Sequence, residues 1–411
     1  MIMINGRDGD QVKRRLYVLL AAVILLISAL VYGTVFSSVN SELNSANPDD
    51  FSSVMEIITL VRSRFYKPVD TTELLSAYVT TGSINGMLAE TLQDPYTRFM
   101  DQHAYEGMLS DTSGVFGGIG IVIGIQDDQL TIVSPIKGTP GERGGLRAQD
   151  KIIKIDNRDT HYMTTEEAAS LMRGAPGTEV TLTIQRGDEV LEVLIVRDLI
   201  NVNSIDKAVI LEPGIGYIYL TNFSDRTYEE LVKALADLDE QGMEGLILDL
   251  RFNPGGTLAA ALQVANEFVA EGSLVYLEDR DGNRIGYEAT KQGTREEIPM
   301  VVLVNGSSAS ASEIVSGALR DNDLAVLVGT HTFGKGLVQS VIPLRDGGAI
   351  TLTEQVYLTA GGHDINQVGL LPDYELEIDE EEELAIYLGD TDVEDTQLMK
   401  ALEIVRSKLS K

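Results

Sequence analysis

No cysteine occurs in the 411 residues, so the chain forms no disulfide, offers no thiolate to a metal and runs no thiol chemistry. Histidine is almost as scarce. The four present, His103, His161, His331 and His363, are scattered, and no H-E-x-x-H occurs, which leaves a zinc hydrolase without its usual ligands. Positive charge is short as well: 32 Lys and Arg stand against 63 Asp and Glu, a net charge of −31. That balance argues against nucleic acid as a partner, since phosphate binding needs a basic surface. Acidity of this size serves solubility. What is plentiful is apolar residues, at 44%, and glycine, at 39 residues. In a chain of this length they fit two or three turn-rich globular domains, each burying its own core.

Charge is missing altogether from residues 16–36, directly after Lys13, Arg14 and Arg15. The run is long enough to span a bilayer, and its basic flank keeps the N-terminus inside and sends the rest across. The expectation is a single-pass cell-membrane anchor with everything beyond it extracytoplasmic. A cleaved signal peptide is the rival, but its apolar core ordinarily has ~7–15 residues, and no Ala-x-Ala site follows. Residues 37–50, rich in Ser and Asn, read as a spacer.

Helical spacing follows in Val54, Ile57, Ile58, Val61 and Phe65, then in Leu74, Leu75, Tyr78 and Val79. A small helical stalk ending near Asp94-Pro95-Tyr96 is expected. From Gly114 the pattern turns to short β-type runs at 119–125, 130–133, 151–155, 180–185 and 190–197, with one helix over 165–172 capped by Thr164 and Glu167. After Asn201, strands at 216–220, 245–250 and 300–304 alternate with helices at 227–240, 258–270 and 309–320, which argues a mostly parallel sheet with covering helices. The acidic run 379–383 reads as a solvated face before a terminal helix, 396–409.

Open α/β sheets carry their functional loops at the carboxyl ends of the strands, and three loops qualify. They are Asn253-Pro254-Gly255-Gly256, the run Ser307-Ser308-Ala309-Ser310-Ala311-Ser312-Glu313, and Gly334-Lys335-Gly336. Ser310 with Glu313 fits a helix capping box, in which the hydroxyl merely accepts a backbone N–H. It equally fits a nucleophile, because a small-residue turn exposes the hydroxyl and sets the positive end of a helix beside any oxyanion. A serine needs a base. Lys335 is the sole formal charge between Asp323 and Arg345, among apolar neighbours, and desolvation there disfavours its ammonium, as a lysine base requires. A surface-loop lysine is the plain alternative. The stretch from Gly329 to Gly336 also matches a phosphate-binding G-x-x-x-x-G-K-[ST] loop except at its last position, where Gly336 has no hydroxyl. The segment after it reads as a strand, whereas a phosphate loop opens a helix.

Together Phe116-Gly117-Gly118-Ile119-Gly120, Asp249-Leu250-Arg251-x-Asn253-Pro254-Gly255-Gly256, Ser308-Ala309-Ser310-Ala311-Ser312-Glu313 and Thr332-Phe333-Gly334-Lys335-Gly336-x-Val338-Gln339 resemble the carboxy-terminal processing, or tail-specific, proteases of peptidase family S41. Asp94-Pro95-Tyr96-Thr97 and Gly369-Leu370-Leu371-Pro372-Asp373 extend the likeness over nearly all the chain beyond residue 50. The resemblance implies a Ser310 nucleophile, a Lys335 base, Gln339 orienting the lysine, and an oxyanion hole from the N–H groups of Ala311 and Gly256. Residues 110–200 resemble a PDZ domain, with Gly118, Ile119, Gly120 and Ile121 as the loop that holds a substrate's terminal carboxylate through N–H donors, without a charged side chain. Family precedent makes Arg173 a regulatory contact to the Lys335–Gln339 region in the active state.

The implied architecture is α+β and multidomain. It comprises an anchor (1–40), a spacer and helical region (41–109), a PDZ domain (110–200), a crotonase/ClpP-like α/β protease core (201–376) and an acidic helical end (377–411). The implied partners are the C-terminal tails of exported or membrane proteins and the membrane itself through residues 16–36; a homo-oligomer is allowed. The chemistry calls for no metal or cofactor. A catalytically silent PDZ scaffold is the alternative, and retention of Ser310, Lys335 and Gln339 argues against it.

Overall fold

The computed structural model describes residues 48–126, 129–290, 295, 297–388 and 393–410. The anchor expected at 16–36 lies outside the described residues. Among those described, no helix is long and apolar enough to cross a membrane.

Two faces of one parallel sheet organise the largest unit. In spatial order its strands are Ile205–Glu212, Ile215–Leu220, Gly245–Asp249, Met300–Val304, Ala325–Gly329 and Tyr374–Glu375, parallel except for the first pair. Leu246, Leu248, Val302, Val304 and Leu327 point to one side, against the helices Thr227–Glu240, Leu258–Phe268 and Ala311–Asp321. Ile247, Val301, Leu303 and Val328 point to the other, against the terminal helix Thr396–Leu409. Cover on both faces is why these strands are apolar at every position rather than at alternate ones.

A second, antiparallel sheet leans on the first. Its centre is the long strand Ala349–Thr359, paired along one edge with Leu337–Pro343 and along the other with Arg98–Met100 and Ser273–Asp279. The helices Pro48–Arg64, Thr71–Thr81 and Ile84–Leu92 pack on this sheet: Val54, Ile57, Ile58, Val61, Phe65 and Leu74 share a core with Leu344, Ile350 and Leu352. The expected stalk is therefore part of the globular body. Val79, assigned by its spacing to the apolar face, is 84% exposed, because Thr71–Thr81 is covered on one side alone.

The middle domain falls between these parts in sequence. Strands Ile121–Gln126, Gln129–Pro135, Lys151–Ile155, Glu179–Arg186 and Glu189–Val196 form its sheet, and the helix Thr165–Met172 starts at the expected box, Thr164 and Glu167 exchanging bonds of 3.0 and 3.2 Å. The expected run 119–125 is broken at its start. Val115–Gly118 pairs instead with Asp198–Asn201 as a separate ribbon, and Gly120, at φ 72°, turns the chain before the sheet strand begins. The acidic run, expected as a solvated face, opens a short helix of its own, Glu380–Leu388, and Glu383 accepts a bond from Asn305.

Candidate active site

Three loops meet at the carboxyl ends of the parallel strands. The first, after Gly245–Asp249, is pinned by Asn253, whose amide donates to Leu220 O (2.8 Å) and accepts from Gly255 N–H (2.9 Å). Asn253 O in turn accepts Ala309 N–H (3.1 Å) and the Ser312 hydroxyl (2.9 Å), tying this loop to the second. Gly255 permits this approach, because a Cβ there would come within 2.6 Å of Ala309 O, while Gly256 packs against Phe223, whose O a Cβ would meet at 1.9 Å.

Sequence reads the three serines of the second loop alike; structure separates them. Ser308 and Ser312 are fully buried, and their hydroxyls are spent on Leu250 O and Asn253 O. Ser310 lines a cavity of about 100 Å³ together with Gly256, Ala311, Lys335 and Gln339. Its backbone, at φ 54° and ψ −111°, is not the extended conformation of an ordinary helix cap. Left-handed φ at a non-glycine is strained, a feature of nucleophile turns between a strand and a helix.

What holds this turn is Glu313, fully buried in the first turn of Ala311–Asp321. One carboxylate oxygen accepts the N–H groups of Ser310 (2.8 Å) and Lys335 (3.0 Å) and the Tyr357 hydroxyl (3.3 Å). The other accepts the Thr332 hydroxyl (2.6 Å) and Gly334 N–H (2.8 Å). Read from sequence as a cap partner, Glu313 is the joint between the serine and lysine loops. The signal was available: it is the sole charge among residues 311–319.

Lys335 is half-buried. Desolvation pushes its ammonium below the usual lysine range and Arg98 adds to this, while Asp94 and Glu313 oppose it. Its Nζ lies 4.5 Å from the centre of the Tyr96 ring. Gln339 shares the cavity, and its amide donates to Thr353 Oγ1 at 3.3 Å.

In the middle domain, Gly118, Ile119, Gly120 and Ile121 line a second cavity, of about 90 Å³, with Met172 and Arg173. Arg173 adds a charged side chain to the wall of this cavity, beside the uncharged residues of the 118–121 loop. Its guanidinium forks onto Asp111 (2.7 and 3.2 Å) and lies 4.9 Å from the Phe116 ring, so in this structure it is not brought to Lys335 or Gln339. Among the described residues no cluster of three or more His, Asp or Glu is placed to hold a metal.

Comparison with known proteins sets this geometry in a family. Residues 214–376 match the profile of peptidase family S41, residues 131–186 that of a PDZ domain, and residues 33–104 that of the activating protease CtpB N-terminal domain. A carboxy-terminal-processing protease of Bartonella bacilliformis is 36% identical over 371 residues, covering 89% of this chain and 83% of its own. The chain belongs to peptidase family S41, among the carboxyl-terminal-processing proteases. A second relative of that kind, from Synechocystis, is 40% identical over 335 residues, covering 79% of this chain and 77% of its own. Among solved structures, the photosystem II D1 C-terminal processing protease superposes with a TM-score of 0.54 at 29% identity, covering 79% of this chain and 92% of that one. This S41 protease is thus a serine hydrolase with a mixed α/β protease fold and a PDZ domain.

Proposed function

We propose that this S41 protease cuts with a Ser310–Lys335 pair near the C-termini of exported or membrane proteins. One observation carries the reading: Ser310, Lys335, Gln339, Gly256 and Ala311 line one cavity. The Ser310 oxygen attacks the scissile carbonyl while its proton passes to neutral Lys335 Nζ. The carbonyl π pair moves to the oxygen, which is met by the N–H of Gly256 and that of Ala311, an N-terminal helical donor without an intrahelical partner. Collapse releases the amine, which takes the proton from Lys335, and water activated by the same lysine frees the acyl group. Gln339 orients the lysine.

The PDZ cavity takes the substrate tail between the backbone of residues 118–121 and the helix Thr165–Met172. Arg173 exchanges Asp111 for the Lys335–Gln339 region in the active state, and residues 16–36 anchor the enzyme with its protease domains outside the cytoplasm. A fluorophosphonate probe and a free-acid peptide test the chemistry together. Wild type is labelled and cleaves; Ser310→Ala does neither, and Lys335→Ala folds but loses cleavage, because nucleophile and base act as one unit. Labelling that persists in Ser310→Ala would move the nucleophile elsewhere.

A further inference from the structure

The turn Asp94-Pro95-Tyr96-Thr97 has no part in the assignment above, yet it reaches the lysine. Buried Asp94 accepts Tyr96 N–H at 3.1 Å and the Thr97 hydroxyl at 2.6 Å, which fixes the turn. Thr97 Oγ1 then accepts Thr353 N–H at 3.0 Å, and Thr353 Oγ1 accepts from Gln339. Four residues at the end of the N-terminal helices thereby touch Lys335 directly and Gln339 through one intermediary. The separation of Lys335 Nζ from the ring centre, 4.5 Å, is inside the ~6 Å over which an ammonium feels the negative face of an aromatic ring.

We propose that Tyr96 is a positioning residue for Lys335, its ring face serving as the platform on which the lysine rests once it has taken the Ser310 proton. The proposal rests on Lys335 being the base. As Ser310 oxygen bonds to the carbonyl carbon, a neutral amine becomes an ammonium in a desolvated pocket, and that new charge needs a partner. The charged groups facing it are Asp94 from the turn, Arg98 from the strand Arg98–Met100 and Glu313 from the nucleophile helix. Glu313 already accepts five donors and Arg98 repels the ammonium. A carboxylate in direct contact would also compete for the proton, whereas a ring face steadies the cation and has no site to receive it.

The test is the pH profile of kcat and KM for a free-acid peptide, using the full chain with Tyr96→Leu and Tyr96→Phe. Leucine keeps the apolar bulk, so desolvation persists, and removes the ring. The plateau kcat should fall roughly three- to thirtyfold at a KM within about twofold, with the midpoint moved down by roughly half to one and a half pH units. Tyr96→Phe, which restores the ring face, should restore midpoint and plateau. A leucine variant with wild-type midpoint and plateau overturns the proposal, as does equal loss in both variants, the mark of a merely structural role. Should Tyr96→Leu fail to fold, a ring-pentafluorinated phenylalanine at this position keeps the shape and inverts the ring's charge distribution. A lowered midpoint then supports the proposal and an unchanged one overturns it. Lys335→Ala separates the layers: if it still cleaves, the base assignment falls and takes this proposal with it. If it is dead while Tyr96→Leu is unshifted, this proposal alone falls.

Discussion

A single carboxylate at residue 313 holds both halves of the proposed catalytic pair, so its charge matters more than its shape. Glu313→Gln keeps the volume but turns an NH₂ group toward N–H and O–H donors. We expect it to cost about 2–4 kcal/mol of stability, read by urea denaturation, and to lower kcat at least about tenfold. Lys335 has the opposite relation to charge. Its folded value is depressed, so the unfolded chain binds the extra proton, and stability rises with pH between the folded value and the unfolded ~10.4. Lys335→Met should therefore be more stable than wild type at pH 7, the gap narrowing as pH approaches 10, and wild-type cleavage should rise through a midpoint below that of free lysine. Ser310 adds strain to this arrangement. With φ at 54°, Ser310→Gly should be dead like Ser310→Ala yet more stable than it by roughly 1 kcal/mol, measured by thermal denaturation.

Elements whose pattern is local were legible in the sequence. The helices Thr165–Met172, Thr227–Glu240 and Thr396–Leu409 and the strand Met300–Val304 stand at their expected bounds, because a cap, an amphipathic period or an unbroken apolar run marks each. The strand Ala349–Thr359 is not legible: Thr353, Glu354 and Gln355 interrupt its apolar pattern, and two of its three partners, Arg98–Met100 and Ser273–Asp279, lie far away in sequence. In the site, a lone lysine among apolar residues was readable, whereas the fate of each serine depends on contacts between loops. Arg251 is a further case. Seen from sequence as part of a motif, it is a buried clamp, forking onto Asp249 (2.6 Å) and Asp395 (2.7 Å) and so holding the terminal helix under the catalytic loop. Arg251→Met should cost about 3–5 kcal/mol and free the terminal helix to limited proteolysis, with no rescue by Arg251→Lys, which lacks the planar fork.

At the scale of the whole molecule, the cavities proposed for tail recognition and for cutting lie in separate domains, so the two activities should be separable by experiment. Amidating the C-terminus of a good peptide removes a charged acceptor and should weaken binding by about 1.5–3 kcal/mol, read by calorimetry on Ser310→Ala. Gly120→Val should mimic that loss on free-acid peptides, since a Cβ at Gly120 would fall 2.3 Å from that of Thr139. The pairing of Arg98–Met100 with Ala349–Thr351 bears on how the enzyme comes into being. A ribosome delivers Tyr96 early and Lys335 late, and joining the two ends of that strand pair closes a loop whose entropy costs about 5 kcal/mol. Contacts of such long range form slowly and late. A nascent chain that has not yet reached the strand Ala349–Thr359 should therefore hold Ser310, the proposed nucleophile, without a finished neighbourhood, and cleavage should wait for that strand to pair.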